Sequence, residues 1–520
     1  MQKRFNITGV CYPERHYMMD ISQKMREMMP LIEYGEYFTI NRPRQYGKTT
    51  TLKTLSDMLR AKKEYLPIRT SFEDLGNTLY KDEVVFCRTF IDLLGEAINL
   101  DYPDLARFLQ AGEKKINSFR DLSKLISAFV RESAKKVVLL VDEVDSSANH
   151  RIFLGFLSVL RHKYLNRYER GQETFHTVVL AGVHDIKTLK LKLRPDDSRK
   201  YNSPWNIAAD FNVRMSYIPS EIVPMLEEYS QLEGVKMNAP VIAERLFYHT
   251  AGYPFLVSKL CKIIAETLIP QREEKSWASE DIDEAVQVLL KEDSTNFDSL
   301  IKNLENNQDL YDLVYRVSID GDTIPFNHHL PSIHQGVLYG IFKNNGRLKI
   351  HNRIYEQLIY DYMISKVLTT IQPNKLYGEH FQLADNALDM KLILLKFQQF
   401  MKEQYSTKNK DFLEQHGRVL FLAFLSPILN GQGYSFREVQ TSLEKRLDVI
   451  VTYFQHRYIL ELKRWYGTKA HEKGLDQLAD YLEIHDEKDG FLLIFDDRKD
   501  KTWAQQSISH RNKTIFTIWV

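Results

Sequence analysis

Two groups of residues in this chain have the types and spacing for phosphorus chemistry. The first is Tyr37-Phe-Thr-Ile-Asn-Arg-Pro-Arg-Gln-Tyr-Gly-Lys-Thr-Thr-Thr51. A short apolar strand turns at 41–46 and closes with Gly47-Lys48-Thr49 at a helix start, where Leu52, Leu55, Met58 and Leu59 keep helical spacing. A helix N-terminus has unpaired N–H groups and the positive end of the dipole, so it attracts phosphate. Gly47 lets the backbone approach the ligand, Lys48 reaches β- and γ-phosphates, and the Thr49 hydroxyl suits Mg²⁺. The bland alternative is a strand–turn–helix that happens to contain Gly-Lys-Thr. The run Lys136-Val-Val-Leu-Leu-Val-Asp-Glu-Val-Asp145 bears on that choice. Unbroken apolar residues ending in acids predict a central parallel strand buried on both faces. Asp142 at its end would hold the Mg²⁺ shell, and Glu143 would orient and deprotonate an attacking water.

The second group lies near the C-terminus. Asp448 begins a strand over 449–454, and after a turn the strand 458–463 carries Glu461 and Lys463. Residues two apart on a strand share a face. Asp448 on the antiparallel partner would then share a Mg²⁺ or Mn²⁺ ion with Glu461, while Lys463 activates a water. That set is suited to cleaving a phosphodiester. The alternative is a surface ion pair on an amphipathic strand.

These groups need elements to hold them. Strands are expected at 37–40, 65–72, 136–142, 177–183 and 212–218, with a helix at 21–32 before the first and helices between them at 92–98, 105–109, 122–130 and 153–165. Strands alternating with helices predict a doubly wound parallel sheet with its ligand at the strand carboxyl ends. His184 at the tip of the fourth strand is a candidate γ-phosphate sensor, and Asp185 equally a helix cap. A basic run follows at Lys187, Lys190, Lys192 and Arg194. It is either a solvated face, a contact to nucleic-acid phosphate, or the source of an arginine for a neighbouring subunit. From about 221 the pattern is all-helical, with Gly252 capping one helix and Pro254 starting the next. In the segment before the loop, Arg15 and Tyr17 are candidates for packing on adenine, against a bland reading as core aromatics.

The motifs carry two resemblances. Arg-Pro-Arg-Gln-Tyr-Gly-Lys-Thr-Thr, Leu-Leu-Val-Asp-Glu, Leu-Ala-Gly-Val-His-Asp and Gly-Tyr-Pro-Phe-Leu together resemble bacterial AAA-like ATPases related to the signal-transduction and archaeal-type ATPases. The loop is similar to a Walker A motif with Arg42 where the first glycine usually stands, which leaves Pro43 to make the turn. This resemblance covers about 1–290. It implies a P-loop ASCE core (1–220), a helical lid (221–294), ATP with Mg²⁺, and nucleotide contacts at Arg44, Gln45, Tyr46, Gly47, Lys48, Thr49, Thr50, Asp142 and His184. Residues 295–372 are similar to a small winged-helix domain, which can bind DNA through its second helix or serve only as a rigid coupler; the resemblance to the signalling ATPases implies the coupler. The region 380–520 resembles the PD-(D/E)xK nuclease superfamily, an α/β restriction-endonuclease-like fold. Asp448, Glu461 and Lys463 match its signature, Leu447 replaces the proline, Glu414 is a further metal-shell candidate, and Gln477 with Tyr481 match a helix pattern.

Bulk properties frame these expectations. A chain of 520 residues fits about three domains. A net charge of +1 gives no global argument for nucleic acid, so any DNA contact must be local. Three scattered cysteines do not make a disulfide framework or zinc site, which fits a reducing cytoplasm. No apolar leader or membrane span is expected. The combined expectation is an ATP-regulated, metal-dependent DNA nuclease, with a homo-oligomer and a defence or mobile-element role allowed. The competing expectation is a nucleotide switch or scaffold whose C-terminal domain only binds nucleic acid or protein.

Overall fold

The computed structural model describes the chain apart from residues 1–2, 74–75, 77–78, 148–149, 184–203, 321, 345, 371–380, 384, 406–409, 430–432, 437–448, 466, 497 and 499–500. The chain packs as two compact units. One comprises Met1–Leu310 with Pro325–Tyr355, the other Tyr311–Ile324 with Glu356–Val520. The stretch expected as a winged helix contributes to both.

The first unit is a mixed α/β structure built on a parallel sheet. Its strands are β1 (Phe38–Asn41), β2 (Tyr65–Ser71), β3 (Lys136–Asp142) and β4 (Thr177–Gly182), in the order β1-β4-β3-β2. Every pairing is parallel. Apart from Lys136, β3 and β4 are buried along their whole length, which is why they read as unbroken apolar runs. Helices Lys48–Arg60, Glu83–Ile98, Phe119–Ser133 and Arg151–Leu165 join the strands. Asp82 and Ser118 start two of them, their side chains accepting from Val84 and Val85, and from Asp121. The Phe156 ring lies 5.4 Å from Phe86 and 4.7 Å from Phe90 in the core.

The expected strand at 212–218 does not form. Its side chains alternate, with Val213, Met215 and Tyr217 buried. However, its backbone bonds elsewhere: the Val213 carbonyl accepts from Arg42, and the Tyr217 N–H donates to Gly252. Its neighbourhood touches the sheet only through an isolated bridge between Phe38 and Ala209.

The region expected to form a lid holds helices Pro219–Glu233, Ala239–Thr250, Pro254–Ile263 and Ser279–Lys291, with a two-residue parallel pair, β5 (Lys236–Met237) and β6 (Ser276–Trp277). Lys24 and Glu221, both buried, pair at 2.8 Å and pin helix Ser22–Glu33 to the first lid helix. Helices Thr295–Glu305 and Pro331–Leu338 and an antiparallel hairpin of β7 (Phe342–Asn344) and β8 (Leu348–Ile350) also belong to this unit.

The second unit holds a six-stranded mixed sheet: β9 (Gly433–Phe436), β10 (Val449–Tyr453), β11 (His456–Arg464), β12 (Asp489–Phe495), β13 (Gln505–His510) and β14 (Lys513–Trp519). The order is β13-β14-β12-β11-β10-β9. β11, β12 and β14 are parallel, and the outer pairings antiparallel. Helices cover both faces. Leu475, Leu478 and Leu482 of helix Thr468–Ile484 share a core with Ile515, whereas the next residue, Phe516, meets Lys391 of helix Met390–Tyr405. Among the described residues, no helix is long and apolar enough to cross a membrane.

Candidate functional sites

β1 ends at Asn41, and the chain turns through Arg42–Tyr46 into helix Lys48–Arg60. The left-handed residues of the loop are Gln45 (φ 56°) and Gly47 (φ 78°). Arg42 is not left-handed, so its position does not need the glycine usual there. Its guanidinium folds away from the cavity, donating to the Asn41 and Val213 carbonyls at 2.8 and 2.9 Å and lying over the Phe211 ring. Left-handed backbone at Gln45 costs on the order of 1–2 kcal/mol and persists only where neighbours enforce it. The Asn296 amide does so, donating to Gln45 Oε1 at 2.8 Å.

Lys48 is buried at the helix start, and its Nζ donates to the carbonyls of Arg42 (3.1 Å) and Pro43 (3.0 Å). Burial pulls its pKa down; the carboxylates of Glu143, Asp145 and Asp142 pull it back up. Asp142 ends β3, buried, and accepts the Glu143 N–H at 3.0 Å. Glu143 is left-handed, with φ 52°. Burial raises its carboxyl above the usual range, the Lys48 charge opposes that rise, and Asp142 and Asp145 add to it. Asp145 was missed as a working residue. Its Oδ2 accepts the Val183 N–H at 2.7 Å, and a Cβ at Gly182 would come within 2.8 Å of Oδ1. This carboxylate therefore ties the exit of β3 to the tip of β4. A glycine at the strand tip was the available signal.

These groups surround a cavity of about 520 Å³, within the size range of small-ligand pockets. Gln45, Tyr46, Gly47, Lys48, Thr49 and Thr50 form one wall. Asp142, Glu143 and the exit of β2 form another, while Pro254, Phe255 and Ser258 come from the lid. Arg44 does not line it. The N-terminal segment from Asn6 to Cys11 closes a further side. Its turn is held by the Asn6 amide, which donates to the Thr8 and Val10 carbonyls, and it is tied to the loop helix by the Cys11 N–H on Thr50 Oγ1 at 3.1 Å. Tyr17 lines the cavity, yet its hydroxyl bonds Glu233 and its ring packs against Phe5 and Tyr229, as a core aromatic would. Arg15 is exposed and does not line it. His184 and the basic run after it lie outside the described residues.

Among the described residues, no three His, Cys, Asp or Glu side chains gather into a metal site. Mg²⁺ does not need such a cage, since it binds through one or two carboxylates, waters and substrate phosphates. The donor set of the Thr49 hydroxyl with the buried Asp142 carboxylate fits that requirement.

At the second group, Glu461 and Lys463 share a face of β11 as their spacing predicts. Lys463 Nζ lies 2.8 Å from Glu461 Oε1 and donates to Gln477 Oε1 at 2.8 Å. Glu461 is wholly buried. Gln477 thus joins the constellation, while Tyr481 packs in the adjoining apolar core. Asp448 and the side chain of Glu414 lie outside the described residues; β10 begins at Val449, opposite Leu460. Two residues beyond Lys463, the Trp465 ring carries the Arg498 guanidinium at 5.2 Å. Buried Asp496 grips that guanidinium through both oxygens, at 2.9 and 2.7 Å. This clamp was not foreseen, because its parts come from two strand ends far apart in sequence.

No family model matches the chain. It is 23% identical over 291 residues to an uncharacterized WD repeat-containing protein of Synechocystis, a match covering 52% of this chain and 23% of that protein. The chain thus spans about a quarter of the length of that curated relative. Among solved structures it is similar to a Walker-type ATPase of Pyrococcus abyssi (12% identity, TM-score 0.44, covering 68% of this chain and 99% of that one). It is also similar to the ORC2 protein of Aeropyrum pernix (11%, 0.38, 70% and 98%) and the RuvB Holliday junction branch migration motor of Thermotoga maritima (13%, 0.33, 65% and 95%).

Proposed function

We propose that this chain binds and hydrolyses ATP in the 520 Å³ cavity, and that its C-terminal sheet carries a metal-dependent nuclease site regulated by the nucleotide. The domain plan is the core at 1–220, the lid at 221–294, the coupler at 295–372 and the nuclease-like domain at 380–520. The observation that carries the ATPase reading is one cavity wall. A left-handed Gly47 leads into a helix N-terminus with a buried lysine, facing Asp142 and Glu143 across the space. The loop amides and Lys48 would receive the β- and γ-phosphates. Glu143, its carboxyl raised by burial, would take the proton of the attacking water. The water oxygen bonds the γ-phosphorus as the bond to the bridging oxygen breaks, leaving ADP and phosphate. Thr49 and Asp142 would hold Mg²⁺, which supplies neutralisation of charge on the phosphate oxygens.

For the C-terminal site, support comes from Glu461, Lys463 and Gln477 meeting on one face. Asp448 and Glu414 would complete the oxygen donors for Mg²⁺ or Mn²⁺. DNA is the proposed substrate, and a homo-oligomer the proposed assembly. A second reading, binding of nucleic acid without cleavage, is favoured by Arg498, since an arginine fixed by Asp496 over Trp465 can meet phosphate without any metal. One pair of assays tests both activities. ATP turnover should fall at least about a hundredfold in Glu143→Gln while ATP binding persists. Plasmid cleavage with Mg²⁺ or Mn²⁺ should vanish in Asp448→Ala and Lys463→Ala. Retained binding with no cleavage in any metal selects the second reading.

A further inference from the structure

The phosphate loop has a second face, turned from the cavity, and four successive residues on it meet elements from beyond the core. Gly340 comes so close to Pro43 that a Cβ at 340 would lie 2.9 Å from the proline ring. The Tyr253 hydroxyl donates to the Arg44 carbonyl at 2.6 Å. Asn296 donates to Gln45 and is itself oriented by the Tyr355 hydroxyl, which donates to its Oδ1 at 2.7 Å. The Tyr46 hydroxyl and His351 Nε2 share a hydrogen bond of 3.0 Å. The rings pack edge to face, Tyr46 on Tyr253 at 4.6 Å and Tyr253 on Tyr355 at 5.4 Å. Tyr46, Tyr253, Tyr355 and Asn296 are all buried.

We infer that Asn296, Tyr355 and His351 are positioning residues of the phosphate loop: they fix Gln45 and Tyr46, so nucleotide binding and the seating of the segment 346–355 with helix Thr295–Glu305, all within the same unit, form one coupled equilibrium. The inference rests on the cavity being the ATP site. Two facts lead to it. Gln45 holds a left-handed backbone that a free loop would abandon, and its side chain is fixed from position 296. Moreover, Gln45 and Tyr46 also line the cavity, so their backbone cannot change on one face without changing the other. Coupling of this kind is reciprocal: whatever seats the segment tightens the nucleotide, and nucleotide seats the segment by the same factor.

The test uses the full chain with Mg·ATP, calorimetry, and hydrogen exchange read at 342–355. Tyr46→Phe keeps the ring and removes one hydroxyl, and His351→Phe alters a residue that does not line the cavity. Each should weaken ATP about tenfold, the cost of one lost buried hydrogen bond. In His351→Phe the KM for ATP should rise with kcat kept. In the wild type ATP should slow exchange at 342–355, and in both variants that protection should be lost. If the wild type binds ATP, Lys48→Ala does not, and both variants behave as wild type with exchange indifferent to ATP, the inference is overturned while the ATP site stands. If the wild type binds no ATP, both fall together.

Discussion

At the scale of single residues, the proposed ATP chemistry concentrates on Glu143. Burial and two neighbouring carboxylates raise its pKa, and the unprotonated form is the one that accepts a proton. ATP turnover should therefore fall on acidification at a pH above the usual carboxylate value of about 4.3, and Glu143→Gln should lose that limb with most of the rate. A turnover–pH profile for both proteins checks it; an acid limb unchanged in the variant assigns the titration to another group. Gly47-Lys48-Thr49, Asp142-Glu143 and Glu461-x-Lys463 were readable from sequence because each is a local pattern whose geometry follows from the helix or strand that carries it. Asn296, His351 and Arg498 were not. Asn296 and His351 meet the loop across 251 and 305 residues, and no periodicity records such a meeting.

Among elements, the lid depends on one tight approach. At Gly252 (φ 71°) a Cβ would lie 1.8 Å from the Tyr217 carbonyl oxygen, where backbone cannot yield as a side-chain tip can. Gly252→Ala should destabilise the fold by about 3 kcal/mol or more and loosen the cavity wall made by Pro254 and Phe255. A thermal melt and an ATP titration on the same sample read both effects. Lys24→Ala should cost about 3 kcal/mol, because it removes the close cation from the buried Glu221 carboxylate and leaves it the Ile218 N–H and Arg214 at 4.0 Å, and Lys24→Ala with Glu221→Ala should recover part of that loss in a denaturant titration. The buried strands and amphipathic helices were legible from apolar runs and helical spacing. β13 was not: Gln505–His510 is polar and largely exposed, with only Ile508 apolar near its middle, so nothing in its pattern marks an edge strand. The supposed strand at 212–218 had the right alternation, but Arg42 and Gly252 claim its backbone.

Over the whole molecule, stability should carry the signature of one buried base. Lys163 is fully buried, donates to Ser127 Oγ at 2.6 Å, and is pushed down by burial from 10.5 to about 8. Between those values the unfolded chain holds a proton that the folded chain has released, so stability should rise with pH there. Below about pH 8 the full penalty applies, on the order of 3 kcal/mol. Lys163→Met should melt higher at pH 7 and lose the share of that slope owed to Lys163, leaving the part that the buried Lys24 and Lys48 contribute; equal slopes in both proteins would assign the rise elsewhere. The larger plan was legible where motifs anchored it, as in the parallel sheet behind the loop. Residues 295–372 carry no such anchor, and they are divided between two compact units. The central claim is that the cradle at Gly47–Thr49 receives nucleotide phosphate, and calorimetric titration of Mg·ATP into wild type and Lys48→Ala tests it most directly. The account predicts saturable binding of one ATP per wild-type chain and none in the variant; equal affinity in the two would contradict it.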